Sequence, residues 1–339
     1  MLHEKDSRVT IAAKSIAAEL AGRIVAMRYE DLPAEAVHWA RIGILDTVAV
    51  TLAGANEDSV RILKRVESVG GRPGRSLLFG SARRVQPLDA ALINGTASHA
   101  LDFDDVARSI GGHPSVPLVP AITALGEETG ASGKEALLAY VTGFETESRI
   151  ARAVNFHHYE KGWHPTVTIG VFGTVAAAAK LLKLDEGKTA MALALACSLA
   201  AGIKANFGTM TKPLHVGQCA RNGLLAALLA KEGFTANPDA FEHSQGYLRV
   251  FNGDGNFDSE KIFANWADPL EIVDPGLGLK QFPCCASTHP AIEAMLKLRR
   301  EKGLKPGDVK SIDILTNPRR LPHTDKPEPK DGLEGKFSI

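Results

Sequence analysis

The strongest constraint on this chain is a succession of alanine- and glycine-rich apolar segments of helical length. Between Lys188 and Lys204 runs TAMALALACSLAAGI, without a charge. The segment before it carries Gly170, Gly173 and an unbroken Ala176 to Ala179. Alanine surrenders no side-chain entropy in a helix, and small side chains let two helix backbones approach closely. The first stretch is too short and too alanine-rich to span a bilayer, so it reads as a buried core helix. A chain built this way is expected to be a bundle of tightly packed helices.

Further helices follow from apolar spacing and end signals. They cover Ile11 to Met27, the run after Pro33 to Gly54, Pro87 to Ala100, Pro117 to Glu128, and Gly133 to Ala153 with Ser132 as N-cap. Others cover Thr166 to Leu182, Glu186 to Ala201, and Pro213 to Glu232 with Gly233 as C-cap. SLLFG, Ser76 to Gly80, is strand-like. The texture changes near DPGLGLKQFPCC. A helix over Ala286 to Lys302 then precedes GDVKSIDILTN, whose alternation at Val309, Ile312 and Ile314 suits a half-buried strand. The expected fold is mainly α, with a large all-α helical domain over 1–268 and part of a smaller α+β lid domain over 269–339. One strand and one helix cannot close a core, so the second unit reads as incomplete. No internal repeat is visible.

At 339 residues two domains are the default, and 45% hydrophobic with 23% charged residues fits a globular protein. Lysine plus arginine equals aspartate plus glutamate at 39 each. No global field therefore recruits nucleic acid or an anionic membrane, and an anionic ligand must be held by a few local cations. Cys197, Cys219, Cys284 and Cys285 lack disulfide-framework or zinc spacing, which favours a cytoplasmic compartment. MLHEKDSRVT has no apolar core of a signal peptide.

SHALDFDDVARSIGGHPSVP places Asp102, Asp104 and Asp105 ahead of a Gly-Gly-His-Pro turn at His113. Clustered carboxylates suit a hard cation, but Phe103 breaks the alternation of a calcium loop and no closing glutamate follows; no metal is expected. Asp104 and Asp105 read as scaffolding. Three other segments set a cation beside turn chemistry: His164 in KGWHPTVTIG, Lys212 in NFGTMTKPLHVGQCARNG, and Lys280 in GLGLKQFPCCASTHPAIEA. Lys212 opposes the dipole at a helix start, so its presence there asks for a reason. The nucleotide fingerprints G-x-G-x-x-G after a strand and G-x-x-x-x-G-K-[ST] are absent. What remains is acid–base chemistry without a cofactor.

The stretches NGTASHALDFDDV, GHPSVP, GWHPT, GTMTKPLHVGQCARNG, KQFPCC and GLEGKFS run in one order along nearly the whole chain. In them the sequence resembles the MmgE/PrpD family, which includes 2-methylcitrate dehydratases, cis-aconitate decarboxylases and iminodisuccinate epimerases. The resemblance implies a helical domain with an α+β lid, a homodimer, and no cofactor. It also implies catalytic roles for Asp102, His113 and His164, with Lys212 and Lys280 binding substrate carboxylates. Two departures stand out. Val106 replaces a threonine common in the decarboxylases and methylcitrate enzymes, and Cys285 stands where animal-type decarboxylases tend to carry histidine. Family members continue beyond KFS, which implies a fragment or a truncated form. The expected activity is a dehydratase-type lyase of a small di- or tricarboxylate. Epimerisation, decarboxylation and a non-catalytic homologue follow as alternatives.

Overall fold

The computed structural model describes residues 15–66 and 71–339. Helices α1 (Ile16–Ala26), α2 (Ala34–Gly54), α3 (Asp58–Arg65) and α4 (Pro87–His99) open the chain. Between α3 and α4 lies a hairpin of β1 (Pro73–Leu77) and β2 (Arg84–Val85). The expected strand at Ser76 thus exists but starts earlier, because Leu78 to Ser81 form the turn. The part of the first expected helix over 11–14 lies outside the described residues.

A two-residue strand, β3 (Val106–Ala107), then leads into the central helices α5 (Ser115–Thr129), α6 (Gly133–Val154), α7 (His157–Glu160), α8 (Pro165–Thr168), α9 (Gly170–Leu182), α10 (Glu186–Leu199) and α11 (Thr211–Lys231). Ser132 closes a reciprocal capping box with Glu135 at the start of α6. Lys231 ends α11, and Gly233 takes the left-handed conformation just beyond it. The expected continuous helix from Thr166 to Leu182 is interrupted at Ile169, which leaves α8 as a short turn carrying His164 at its head.

The core is helix against helix. α9 is buried nearly all round, from Gly170 to Ala179. At the α4–α11 crossing the backbones almost touch: a Cβ on Gly217 would lie 2.1 Å from the Leu92 carbonyl. Gly143 and Gly173 allow a similar approach of α6 to α9, where a Cβ on either would sit 2.8 Å from the other's carbonyl. The small-residue texture therefore sets the interhelical spacing.

Beyond α12 (Tyr247–Asn252), β4 (Leu277–Gly278) pairs antiparallel with β3. α13 spans His289–Lys302, starting later than expected because Thr288 Oγ1 turns back onto the Cys285 carbonyl. The expected strand over Val309 to Asn317 does not form. No neighbouring strand among the described residues offers its backbone a ladder, and Ile312 and Leu315 are 58% and 100% exposed. Alternation of apolar residues states which face would be buried, but a strand needs a partner to bury it.

Candidate active site

The turn after α4 is the organising element. Asp102 sits there with φ of 52°, in the left-handed region that aspartate tolerates better than most side chains. Its carboxylate lies between two ammonium groups. Lys212, from the first turn of α11, donates to Oδ1 at 2.6 Å, and Lys280 lies 3.2 Å from Oδ2 while donating to the Asp102 carbonyl at 2.6 Å. Burial opposes ionisation of Asp102, but the two lysines outweigh it and hold the carboxyl well below its usual range. Burial pulls Lys280 down and Asp102 more than reverses this, so Lys280 is held above its ordinary value. Asp102 thus gives Lys212 an anion at its helix start, 2.6 Å away.

Two residues on, Asp104 is fully buried and holds two imidazoles. His99 Nδ1 lies 2.8 Å from its Oδ2, and His113 Nδ1 lies 2.9 Å from the same oxygen. His113 Nδ1 also faces the Asp105 carbonyl at 2.9 Å. A carbonyl only accepts, so Nδ1 carries the proton and Nε2 is left for a substrate. His99 Nε2 receives the Lys212 ammonium at 2.5 Å, which requires a lone pair there and a proton on Nδ1. Burial pushes His99 down to about 3, consistent with a neutral ring. The donor atoms of His99, Asp104 and His113 lie within 4.8 Å of one another, close enough for a metal. The proton required on His113 Nδ1 instead makes the set a hydrogen-bonded one. Asp105 turns away: it accepts from Ser115 Oγ at 2.5 Å, and Ser115 meets the Tyr140 hydroxyl at 2.6 Å. Asp105 is scaffolding as expected, whereas Asp104 positions both rings.

His164 is 2% exposed, and its Nε2 has no hydrogen-bond partner. Its ring stacks on His99 at 5.7 Å and meets Phe207 edge-on at 4.9 Å, while Nδ1 lies 3.3 Å from His215 Nδ1. Burial, then Lys212, lowers its pKa well below the ordinary histidine value.

These groups border a cavity of about 330 Å³, near the small end of the range for ligand sites. Asp102, His113, His164 and Lys212 line it; Lys280 does not, and stands behind Asp102. Among the described lining residues, Lys212, Arg108, Arg319 and Arg320 are the cations and Asp102 is the sole carboxylate, already balanced by two lysines. The cavity is accordingly electropositive. Val106 and Cys285 both reach its wall. Sequence reasoning missed His99, the arginines and His323, which accepts or donates at 3.0 Å to Tyr159 Oη. His99 stood inside the quoted motif, three residues before Asp102. Arg319, Arg320 and His323 lie in PRRLPHT, a segment without periodicity or a recognisable motif. The C-terminal residues close the site: Phe337 packs on Phe207 at 5.6 Å and lies 5.3 Å from the Lys212 ammonium, and Lys336 donates to the Ala100 carbonyl.

The same ground is covered by comparison with known proteins. Human cis-aconitate decarboxylase is 30% identical over 337 residues, which cover 96% of this chain and 69% of the human protein. The mouse cis-aconitate decarboxylase is 28% identical, with 68% of its length spanned. That of Aspergillus terreus (strain NIH 2624 / FGSC A1156) is 29% identical over 312 residues, spanning 87% of this chain and 62% of the relative. The MmgE/PrpD N-terminal domain matches residues 18–260 and the MmgE/PrpD C-terminal domain matches residues 282–339. With both domains matched in order around one electropositive histidine–lysine cavity, the chain belongs to the MmgE/PrpD family.

Proposed function

We propose that this protein is a cofactor-independent lyase of a small tricarboxylate, acting by loss of CO2 from an unsaturated acid of the cis-aconitate type. One observation carries the reading: an electropositive cavity lined by His113, His164 and Lys212, where His164 Nε2 has no hydrogen-bond partner and His113 Nε2 lies 3.8 Å from the lysine-bound Asp102 carboxylate. The relatives' activity favours CO2 over water as the leaving group, and so moves decarboxylation ahead of the dehydration that the motifs first favoured.

The chemistry needs little else. A carboxylate two carbons from a double bond departs as CO2 when the electron pair of its C–C bond shifts through the alkene. The charge then gathers on the carbon next to a second carboxylate, as an enediolate. Lys212 is the group suited to stabilise that charge, in a buried setting where a fixed cation counts for far more than in water. A proton then forms the new C–H bond. His113 is suited to supply it, since Asp104 holds its Nδ1 and so fixes the ring in the cavity wall. Arg108 and Arg320 would hold the remaining carboxylates, since Arg319 is already paired with Glu160 at 2.7 Å. Lys280 supports this indirectly by anchoring Asp102.

Dehydration of a hydroxy tricarboxylate is the second reading, because it uses the same proton handling and because Cys285 departs from the animal decarboxylases. The homodimer and the cytoplasmic location belong to the same proposal; the four free cysteines suit a reducing compartment. The test is proton NMR of the protein with cis-aconitate, a 2-methylcitrate-like hydroxy acid and a dicarboxylate. An alkene product with one carboxylate fewer supports the proposal. Water loss alone would move the protein to the second reading, and no conversion of any of the three would overturn both.

A further inference from the structure

Behind His164 lies a second cavity that the chemistry above leaves unused. It encloses about 260 Å³, with His215, Gln218 and Asn222 on its walls and Ala201 and Ile203 at its rim. Ile203 is 46% exposed, so the rim meets solvent. His164 borders the front cavity only and His215 the back cavity only. The two rings meet through their Nδ1 atoms, 3.3 Å apart. This contact requires one Nδ1 to donate and the other to accept, so the tautomers of the two rings are locked together.

The coupling has a consequence at the far nitrogen of each ring. If His215 Nδ1 donates, His164 carries its proton on Nε2, the buried atom without a partner. If His164 Nδ1 donates, that same Nε2 is a bare lone pair. The nearby charged or titratable groups are Lys212, His99 and His113, all on the front side. Both rings are neutral at neutral pH, since burial, with Lys212, lowers His215 to about 4 and His164 well below its ordinary value.

We propose that His215 is the inner half of a proton relay that supplies His164 from the back cavity while substrate fills the front one. A proton from solvent bonds to His215 Nε2, the His215 Nδ1 proton crosses to His164 Nδ1, and the His164 Nε2 proton passes to the substrate carbanion. Each ring gains one N–H bond, loses one, and ends neutral. After product leaves, water in the front cavity protonates His164 Nε2 and the sequence runs backward to reset both rings. The relay rests on the proposed decarboxylation, which consumes one proton per turnover in a closed site. In this relay His164 takes the place of His113 as the final donor.

The test has two arms. Long-range 15N–1H correlation on histidine-labelled protein should show complementary tautomers for His164 and His215, and His215→Phe should change the His164 pattern. Non-complementary tautomers, or a His164 pattern untouched by the substitution, would overturn the relay. In kinetics, His215→Ala should lower kcat on the order of 10²-fold with KM little changed, and added imidazole, entering from the back cavity, should restore part of it. His215→Phe should not be rescued, and His215→Gln controls for folding by circular dichroism. A kcat within about twofold of wild type in folded His215→Ala and His215→Gln, or a loss that imidazole leaves unchanged, would also overturn it. Absence of turnover in the unsubstituted protein would sink the decarboxylase reading instead, while the NMR arm still decides the relay.

Discussion

Asp102 and its two lysines account for how a buried cation can sit at the start of a helix. Lys212→Met removes one ammonium but leaves Asp102 paired with Lys280 through both its carboxylate and its carbonyl. The fold should therefore persist in circular dichroism while kcat falls on the order of 10²- to 10³-fold, as when one electrostatic donor is removed from a buried site. A second residue-scale prediction concerns Asp46, whose carboxylate accepts from the Asp105 N–H at 3.2 Å. Burial, then Asp104, raises its pKa to about 6. A carboxyl raised on folding stabilises the native state at low pH and loses that contribution as pH rises from about 4 through about 6. Asp46→Asn keeps an acceptor and removes the titration, so it should raise the Tm at pH 7.5, with the gain gone by about pH 4 in thermal melts. At this scale the sequence was informative where side-chain type dictates chemistry. Asp102, His113, His164 and Lys212 meet at one cavity. Lys280 was legible only as a cation beside a turn, and neither its burial nor its place behind Asp102 was. His99 was invisible because its role depends on what α11 brings opposite it, and nothing local in the motif encodes that.

Helical elements set the separation of these groups. Gly217 lies one turn and a half beyond Lys212 on α11, and Gly95 lies one turn before His99 on α4, with the two glycines in contact. Gly217→Ala would press a methyl into the Leu92 carbonyl and the Thr96 hydroxyl. It should cost about 1–3 kcal/mol in urea denaturation, the range for overpacking. It should also lower activity, because separating α4 from α11 lengthens the Lys212–His99 contact. The long helices were legible from spacing, caps and small residues, since those signals are local, whereas the short α3 and α12 were not. β2 and β4 were not, because strands of two residues carry no periodicity and exist only through the strands they meet. The failed strand over Val309 to Asn317 is the converse case: its pattern is local, whereas its partner is not.

At the scale of the whole molecule, residues 282–339 are not a detached lid, since Phe337, Lys336 and His323 all touch the cavity or its walls. α2 presents Leu45 and Leu52 outward at 70% and 49% exposure. If they belong to the proposed homodimer surface, Leu45→Asp should yield folded monomer in analytical ultracentrifugation, because a charge there disturbs no core contact. A dimer of unchanged stability would assign that surface elsewhere. In the proposed reaction the cavity around Asp102, His113, His164 and Lys212 replaces a carboxylate of a small tricarboxylate by a proton. Its most direct test is turnover of cis-aconitate in D2O, with the product examined by NMR for deuterium. CO2 release is expected with one deuterium fixed at the carbon beside a retained carboxylate, and both signals should be lost in Lys212→Met. Addition of water to the double bond or solvent exchange without CO2, or full activity in Lys212→Met, would contradict it.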